Sequence, residues 1–280
     1  MKRHLQYLLM IPVLVSACTG DELQPAFVHI ADFEVISDPG SEGSPTQKIT
    51  DAWVYVNGIQ LGVFELPVTV PVLDTGTVSI SVFAGIKENG FSSIGNIYPF
   101  YSGFETTLTL RPFETDSIQP SVDYLSGLSW IYLERFELGN SFTQLSGSET
   151  GLEIVTDPEL VLEGSRSAFA NMEPGISVMK VTTGPLLFPT VGNAVWAEVD
   201  YKASVPFEVW VNGNYTGGIP ISSYMLTVGA RDDWNKIYLN LAAKVATLQA
   251  ETYNLEFRCY KPDSVSSAEL YFDNIKIIAF

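Results

Sequence analysis

The chain has few of the side chains on which most enzyme centres depend. It contains 2 cysteines and 2 histidines among 280 residues. His4 lies in the first residues of the chain, which leaves only His29 in the remainder. No Ser-His-Asp or Cys-His arrangement and no zinc site is therefore predicted. A phosphate-binding loop is missing too, because the sequence GSRS at 164–167 lacks the lysine that such a loop needs.

Basic residues are also scarce. The 15 lysines and arginines face 32 acidic residues, and the formal net charge is −17. Nucleic acids and anionic lipid headgroups are poor partners for such a chain, because like charges repel over the whole surface. The many carboxylates leave glycoside hydrolysis by paired acids open, although no closely spaced motif such as E-x-D-x-x-E occurs.

Long hydrophobic runs are limited to one short stretch near the start of the chain. Lys2 and Arg3 precede an apolar run from Leu8 to Val15, which is too short to cross a bilayer. This pattern predicts a signal peptide over residues 1–17. The following sequence, Val-Ser-Ala-Cys at 15–18, resembles the lipobox of bacterial lipoproteins.

The lipobox resemblance implies that Cys18 is diacylated and anchors the chain to a membrane, with residues 18–25 as a lipidated tether. Thr19 implies sorting to the outer membrane. Asp21 and Glu22 resemble the export tags of surface lipoproteins, so we expect the cell surface, with the periplasmic face as the alternative. If Cys18 carries lipid, Cys259 has no intramolecular disulfide partner, and we predict a buried, inert thiol.

Strand signals dominate the rest of the chain. Short stretches rich in Val, Ile, Tyr, Phe and Thr alternate with turn residues, which predicts an all-β fold. Residues 26–118 contain six or seven such stretches and suit an immunoglobulin-like β-sandwich, although the Cys and Trp signature of true immunoglobulin domains is missing. Polar residues without periodicity collect between Glu114 and Ser129, and we place a domain boundary near residue 120.

The segment 126–280 carries an ordered series of short motifs. These are YLERFELGN at its start, then GSRS, WAEVDYK, WNK and finally DNI. Their order resembles that of the jelly-roll carbohydrate-binding modules, which are galactose-binding-like β-sandwiches. The resemblance implies a C-terminal jelly roll and a glycan as the partner. It does not extend to the N-terminal domain.

Strand alternation predicts a binding surface in this segment. Trp196, Glu198 and Asp200 share one face of the strand AVWAEVDYKA, opposite its apolar residues, and Trp210 and Asn212 share one face of FEVWVNG. The same reasoning selects Tyr238 in KIYLNL, and Arg258 and Tyr260 in LEFRCYK. An aromatic ring suits the C–H face of a sugar, and carboxylates and amides suit its hydroxyls. We therefore predict one polar and aromatic trough, provided that these strands share a sheet.

Three further aromatic residues are secondary candidates. Tyr215 and Tyr224 lie in a stretch that resembles a loop, and loops at the edge of a sandwich also bind glycans. In the resembled family the position of Trp234 belongs to the core or the rim. For Trp196 and Trp210 the alternative is packing under a loop or against the N-terminal domain.

The resembled modules often hold a structural calcium ion. By that resemblance Glu137, the stretch 164–167 and Asp273 occupy the places of its ligands, and oxygen ligands from distant segments suit Ca²⁺. A plain surface carboxylate explains each residue equally well. No other cofactor is expected.

Together these features favour a lipid-anchored, non-catalytic protein that binds an oligosaccharide or polysaccharide on the concave face of its C-terminal jelly roll. The alternative is an accessory lipoprotein that docks on another outer-membrane protein, with Trp196 and Trp210 as interface anchors. A glycan-cleaving enzyme with carboxylate catalysis is the third hypothesis.

Two pentapeptides nearly repeat one another: VYVNG at 54–58 and VWVNG at 209–213. In each, Asn-Gly follows an alternating strand, which is the strongest short-range signal for a hairpin with a type I′ turn. We therefore predict the same turn at both places. If either copy marks a binding site, it is the second, because Trp210 has polar neighbours on its face of the strand.

Overall fold

The computed structural model describes residues 24–91, 95–189 and 192–280. These residues form an all-β fold of two sandwiches with a single short helix. The predicted signal peptide and the lipidation site at Cys18 lie outside the described residues. Within them, no helix has the length and the apolar character that crossing a membrane requires.

The N-terminal sandwich is built from ten strands. They are β1 (Ala26–Ile30), β2 (Glu34–Ile36), β3 (Ile49–Val56), β4 (Ile59–Glu65), β5 (Val68–Val72), β6 (Gly76–Ile86), β7 (Asn96–Ile97), β8 (Phe104–Leu110), β9 (Thr115–Ile118) and β10 (Ser121–Asp123). One layer has the order β5-β1-β9 and continues into the parallel pair β2-β10. The other has the order β4-β3-β6, with β7 and β8 both beside β6. Alternating apolar residues such as Val54 and Ile80 fill the space between the layers.

The C-terminal sandwich contains eleven strands and the helix. They are β11 (Ser129–Glu134), β12 (Thr143–Gln144), β13 (Glu153–Val155), β14 (Ser167–Met172), β15 (Val178–Thr182), β16 (Val195–Ala203), β17 (Phe207–Asn214), β18 (Ile221–Val228), β19 (Arg231–Asn240), α1 (Ala242–Leu248), β20 (Thr252–Tyr260) and β21 (Ala268–Ala279). We call the sheet β13-β14-β21-β16-β19, with β11 beside β21, the covered sheet. The sheet β12-β15-β20-β17-β18 is the open sheet. Apart from the hairpins β13-β14 and β17-β18, consecutive strands alternate between the two sheets, as in a jelly roll.

The two names describe how the N-terminal domain sits on the jelly roll. The outer face of the covered sheet packs against the N-terminal domain, and its residues Trp196, Tyr238 and Ile278 belong to the N-terminal hydrophobic core. Trp196 meets the ring of Tyr98 edge-on, with the ring centroids 5.6 Å apart. The outer face of the open sheet has no such cover, and Tyr260 there is 47% exposed.

A bulge in β21 changes which residues of that strand face the core. Asn274 has a φ of 45°, and the pairing with β16 shifts its register between Glu198 and Asp200. Phe272 points into the jelly-roll core before the bulge, and Ile275 points into it after the bulge. A bulge inserts one residue into one strand of a pair, so the alternation restarts. Asp273 and Lys276 are thereby placed outside the jelly-roll core, on the face towards the N-terminal domain.

The two pentapeptides fold differently. Asn57 and Gly58 have φ values of 50° and 78° and join β3 to β4, as a type I′ turn requires. The second prediction is wrong, because Asn212 and Gly213 continue β17, which ends at Asn214. They pair with Asn254 and Tyr253 of β20 on one side, and β18 pairs with them on the other. Partner strands on both sides keep the backbone extended where the local sequence favours a turn.

Candidate functional site

The eight residues predicted to form one trough lie on two different sheets. Trp196, Glu198, Asp200 and Tyr238 belong to the covered sheet, and Trp210, Asn212, Arg258 and Tyr260 belong to the open sheet. Strand alternation does give each residue its predicted face, outside the jelly-roll core. However, the two outer faces of a sandwich point in opposite directions, so the prediction of a single trough is wrong.

The four residues on the covered sheet are inaccessible to a glycan. Trp196 is 5% exposed, and the side chains of Glu198, Asp200 and Tyr238 are buried as well. The N-terminal domain supplies the cover, since the hydroxyls of Tyr98 and Tyr124 donate to Oε1 of Glu198 at 2.8 and 2.9 Å. A docking role for Trp196 and Trp210 as paired anchors is excluded for the same reason. Trp196 already has its partner within the chain.

Two lysines balance the buried acids of the covered sheet. We call Glu198, Asp200, Lys236 and Lys276 the interdomain charge cluster. Nζ of Lys236 lies 3.2 Å from Glu198 Oε2 and 3.3 Å from Asp200 Oδ2. Nζ of Lys276 donates to the backbone carbonyl of Ser44 at 2.7 Å. Buried charges are tolerated when they are paired and hydrogen-bonded, and here both domains provide the partners.

Burial and pairing act in opposite directions on this cluster. Burial alone would raise the pKa of Glu198, but the ammonium groups of Lys236 and Lys276 hold it below its usual value. Burial raises the pKa of Asp200. Burial lowers the pKa of Lys276 to about 8, whereas the carboxylates of Asp200 and Glu198 outweigh burial and raise the pKa of Lys236. The cluster holds the domains together, and its side chains are almost completely buried.

On the open sheet, three of the remaining four residues belong to one polar network, and Tyr260 lies beside it on β20. On β17 the indole N–H of Trp210 donates to Glu208 at 2.8 Å. On β20 the guanidinium of Arg258 donates to the carboxylate of Glu256, which also accepts a bond from the amide of Asn212. Among the described residues, Oδ1 of Asn212 has no hydrogen-bond partner. A buried acceptor without a partner is costly, and this oxygen has almost no surface that a ligand could reach.

The aromatic ring of Trp210 is less accessible to a ligand than the sequence predicts. The guanidinium of Arg258 lies 3.9 Å from the ring centroid of Trp210, so that it covers one face of the indole. Tyr224 packs edge-on against the same indole, with the ring centroids 5.4 Å apart. The most exposed rings of this face are those of Tyr224 and Tyr260, 41% and 47% exposed, whereas Trp210 is only partly exposed. Trp210 supports the network from its centre.

Three residues of this face were missing from the primary prediction. Glu208 and Glu256 have the same strand parity as Trp210 and Arg258, so the alternation already indicated them. The sequence around Tyr224 resembles a loop, whereas the residue lies in β18 opposite Trp210. The glycines and serines around Tyr224 favour a loop, but the pairing of β18 with β17 makes this stretch a strand. We call Glu208, Trp210, Asn212, Tyr224, Glu256, Arg258 and Tyr260 the open face.

The other secondary candidates lie away from the open face. The hydroxyl of Tyr215 donates to the backbone carbonyl of Leu248, at the end of α1. Trp234 belongs to β19 of the covered sheet and packs near Tyr271, with the ring centroids 6.3 Å apart. Neither residue contributes a ring to the open face.

The residues proposed for calcium do not fit the ion. The carboxylate of Glu137 accepts bonds from the backbone N–H groups of Ser165 and Arg166 and from the hydroxyl of Ser165. Asp273 accepts bonds from the Ser167 hydroxyl and the Asn274 N–H. Calcium is bound by several oxygen atoms directed at the ion, but this loop directs backbone N–H donors at the carboxylate of Glu137. Within the described part of the chain, no group of three or more metal-ligating side chains is assembled.

Comparisons with known proteins find similarity in structure alone. No protein-family profile and no curated protein matches the sequence. Among solved structures, carbohydrate-binding modules from the β-sandwich superfamily align with a TM-score of 0.40 and 15% identity, over 81% of this chain and 84% of that one.

Two further structures align with about half of this chain. One is the K3 cleaved adhesin domain of Lys-gingipain from Porphyromonas gingivalis w83, with a TM-score of 0.37, 15% identity and coverage of 54% of this chain and 99% of that one. The other is a family 22 carbohydrate-binding module from Clostridium thermocellum, with a TM-score of 0.38, 14% identity and coverage of 53% and 91%. At these values the function of this chain has to be argued from its own residues.

Proposed function

We propose that the chain binds a glycan on the open face without cleaving it. One observation carries the proposal: the N-terminal domain covers one outer face of the jelly roll and leaves uncovered the face that combines exposed tyrosines with a preformed polar network. The partly exposed carboxylate of Glu208 offers acceptors and the guanidinium of Arg258 offers donors to sugar hydroxyls, while the buried carboxylate of Glu256 holds the guanidinium in place. The rings of Tyr224 and Tyr260 offer apolar surface to the C–H groups of a pyranose.

The size and rigidity of the open face suit an oligosaccharide chain. The four strands β15, β20, β17 and β18 span roughly 14 Å at the usual spacing between strands. Glu208, Glu256 and Asn212 are already held by hydrogen bonds to their neighbours. Little side-chain freedom is therefore lost on binding, which favours affinity.

The absence of catalysis is part of the proposal. A carboxylic acid that protonates a leaving group at neutral pH needs a raised pKa. The carboxyls whose pKa burial raises are Asp200 and Asp273. Both belong to the covered sheet, where the N-terminal domain and the strand pairing bury them. The carboxylates of the open face are instead engaged with Trp210, Arg258 and Asn212.

Attachment to the outer membrane through a lipid on Cys18 completes the proposal. It rests on the sequence of residues 1–22, and the expected exposure at the cell surface rests on Thr19, Asp21 and Glu22. Such an anchor would hold the open face near glycans outside the cell. Docking on another outer-membrane protein remains a prediction. Of the two proposed anchors, Trp196 and Trp210, only Trp210 could contact such a partner, because Trp196 is buried against the N-terminal domain.

Substitutions on the open face test the proposed function. Tyr260→Ala and Arg258→Ala in the full chain should each weaken binding to the glycans that the unmodified protein retains on a glycan array, by about tenfold, or about 1.4 kcal/mol. The matched control is Tyr55→Ala, because Tyr55 occupies in VYVNG the place that Trp210 occupies in VWVNG, on the other domain. Unchanged binding by both open-face variants, or equal loss in the control, would contradict the proposal.

A further inference from the structure

A cavity lies between the two domains, next to the edge strand β18 of the open sheet. It has a volume of about 410 Å³ and opens beside the turn that joins β18 to β19. Lys48 and Lys87 line its N-terminal wall, and Arg231, Asn235 and Lys236 line its C-terminal wall. A volume of this size lies within the range of small-molecule sites, and interfaces between domains are a common place for them. We call this cavity the cationic crevice.

The charge of the cationic crevice is opposite to that of the molecule. Four basic side chains line it, and none of its described lining residues is acidic. The whole chain has 32 acidic and only 15 basic residues, so a concave surface with cations alone departs strongly from the composition. Concave walls of one sign concentrate the local field and attract ions of the opposite sign.

Two of the four cations are balanced by acids behind the crevice wall. Lys236 lies between Glu198 and Asp200 of the interdomain charge cluster. Nζ of Lys87 lies 2.8 Å from Oδ2 of Asp51. The positive charge that remains for a ligand therefore belongs to Lys48 and Arg231.

Lys48 and Arg231 are not balanced in this way. In the described ranges, no carboxylate oxygen lies within ion-pair distance of either residue. Nζ of Lys48 donates instead to the neutral amide of Asn235. Burial lowers the pKa of Lys48, and the positive charge of Arg231 lowers it further. The two cations come from different domains and repel one another, and an anion between them would relieve that repulsion.

We propose that the cationic crevice binds a small organic oxyanion of the size of one acidic sugar. Arg231 offers two parallel N–H donors to a carboxylate, a geometry that a lysine cannot supply, and Lys48 adds a point charge from the facing domain. The amides of Asn89 and Asn235 line the same cavity and suit the hydroxyl groups of a sugar ring. This site does not depend on glycan binding at the open face.

Titration calorimetry on the full chain tests the crevice, with glucuronate as the probe. Glucuronate should bind, the neutral sugar glucose should not, and added sodium chloride should weaken binding because it screens charge. Arg231→Gln should weaken glucuronate binding at least tenfold. Arg166→Gln is the matched control, because Arg166 is also exposed and lies on the GSRS loop outside the crevice. Tyr260→Ala should leave glucuronate binding unchanged and so separates this site from the open face.

The result that would overturn the proposal is binding of neither glucuronate nor inorganic sulfate by the unmodified chain. Equal weakening by Arg231→Gln and Arg166→Gln would overturn it as well, because it would show a general effect of net charge. Binding of sulfate without glucuronate would refute the acidic sugar as ligand. If Arg231→Gln alters the circular dichroism spectrum, Lys48→Gln is tested in its place, and it should weaken glucuronate binding by the same factor.

Discussion

Asp273 is a buried carboxyl with neutral hydrogen-bond donors and no paired cation. Its Oδ2 accepts a bond of 2.7 Å from the Ser167 hydroxyl, and its Oδ1 accepts one of 2.8 Å from the backbone N–H of Asn274. Burial raises the pKa of Asp273 from 3.8 to about 7, and the negative charges of Asp200 and Glu163 add to the rise. At neutral pH this residue is therefore partly protonated in the folded protein.

The shift predicts how Asp273 affects stability. The folded protein holds a proton that the unfolded chain releases near pH 4, so the free energy of unfolding falls as the pH rises from about 4 to about 7. Asp273→Asn should remove this fall and stabilise the protein above pH 7 by roughly 2–4 kcal/mol, since each unit of pKa shift is worth about 1.4 kcal/mol.

Urea unfolding of the Asp273→Asn variant and the unmodified protein at pH 4 and pH 8 provides the measurement. Glu163→Gln is the control, because this partly exposed carboxylate acts on Asp273 only through its charge and should produce a smaller change. A variant that is destabilised at both pH values would show that the carboxyl of Asp273 is needed for its hydrogen bonds and that its burial costs little.

At the scale of the elements, Gly58 and Gly213 end two nearly identical pentapeptides, but glycine is needed at the two positions for different physical reasons. Gly58 has a φ of 78°, and no atom lies within 4 Å of the place where a Cβ would stand. Gly213 is extended in β17, but a Cβ there would stand 2.8 Å from Cβ of Ala250 and 3.1 Å from the hydroxyl of Tyr215. The first glycine is required by its backbone conformation, and the second by the close approach of the chain after α1.

Alanine substitutions should therefore destabilise the two places for different reasons. Gly58→Ala should cost about 1 kcal/mol, because an L-residue is strained at positive φ. Gly213→Ala should cost about 1–3 kcal/mol, because the added methyl overpacks the contact with Ala250. Gly58→Asn should recover most of the first loss, since Asn tolerates positive φ, whereas Gly213→Asn should be worse than Gly213→Ala.

Chemical denaturation of the four glycine variants gives these free energies. A recovery at residue 213 by Asn would contradict the strand geometry and would favour the hairpin that the sequence predicts there. No recovery at residue 58 would contradict the type I′ turn between β3 and β4.

Local alternation predicted the faces of individual strands well. Val195, Ala197 and Val199 lie in the jelly-roll core, as predicted from every second residue of β16. These features depend on neighbours in sequence, which a single chain displays directly.

Contacts between distant segments account for the errors. The sequence of β16 does not reveal that Tyr98, about a hundred residues earlier, covers Trp196 and bonds to Glu198. Nor does the sequence reveal to which of the two sheets each strand belongs, because in a jelly roll many neighbouring strands of the chain lie in different sheets. A strand whose outer face is covered by a second domain can therefore show the same alternation of polar and aromatic residues as a strand whose outer face is exposed.

At the scale of the whole molecule, the two sandwiches share one hydrophobic and charged interface. Trp196, Tyr238 and Ile278 of the jelly roll lie in the core of the N-terminal domain. The backbone N–H of Asn89 also donates to the carbonyl of Tyr238 at 2.8 Å. An interface with buried charges and a shared core should keep the two domains from unfolding separately.

The full chain is therefore expected to unfold in a single calorimetric transition. A fragment of residues 126–280 should unfold at a markedly lower temperature, because it would expose Trp196 and leave the interdomain charge cluster in water without its tyrosine partners. Tyr98→Phe in the full chain removes one hydrogen bond to Glu198 and should lower the midpoint only slightly. Two separate transitions in the full chain, or a fragment as stable as the full chain, would contradict this expectation.

The cover over one sheet also sets different evolutionary constraints on the two outer faces of the jelly roll. A change at Glu198 or Lys276 must be matched by a change at Tyr124 or near Ser44, in another domain of the same chain. Among the described residues, those of the open face are bonded only to one another on the same sheet, so a change there needs a matching change only within that sheet. Ligand preference can therefore diversify on the open face while the covered face preserves the joint between the domains.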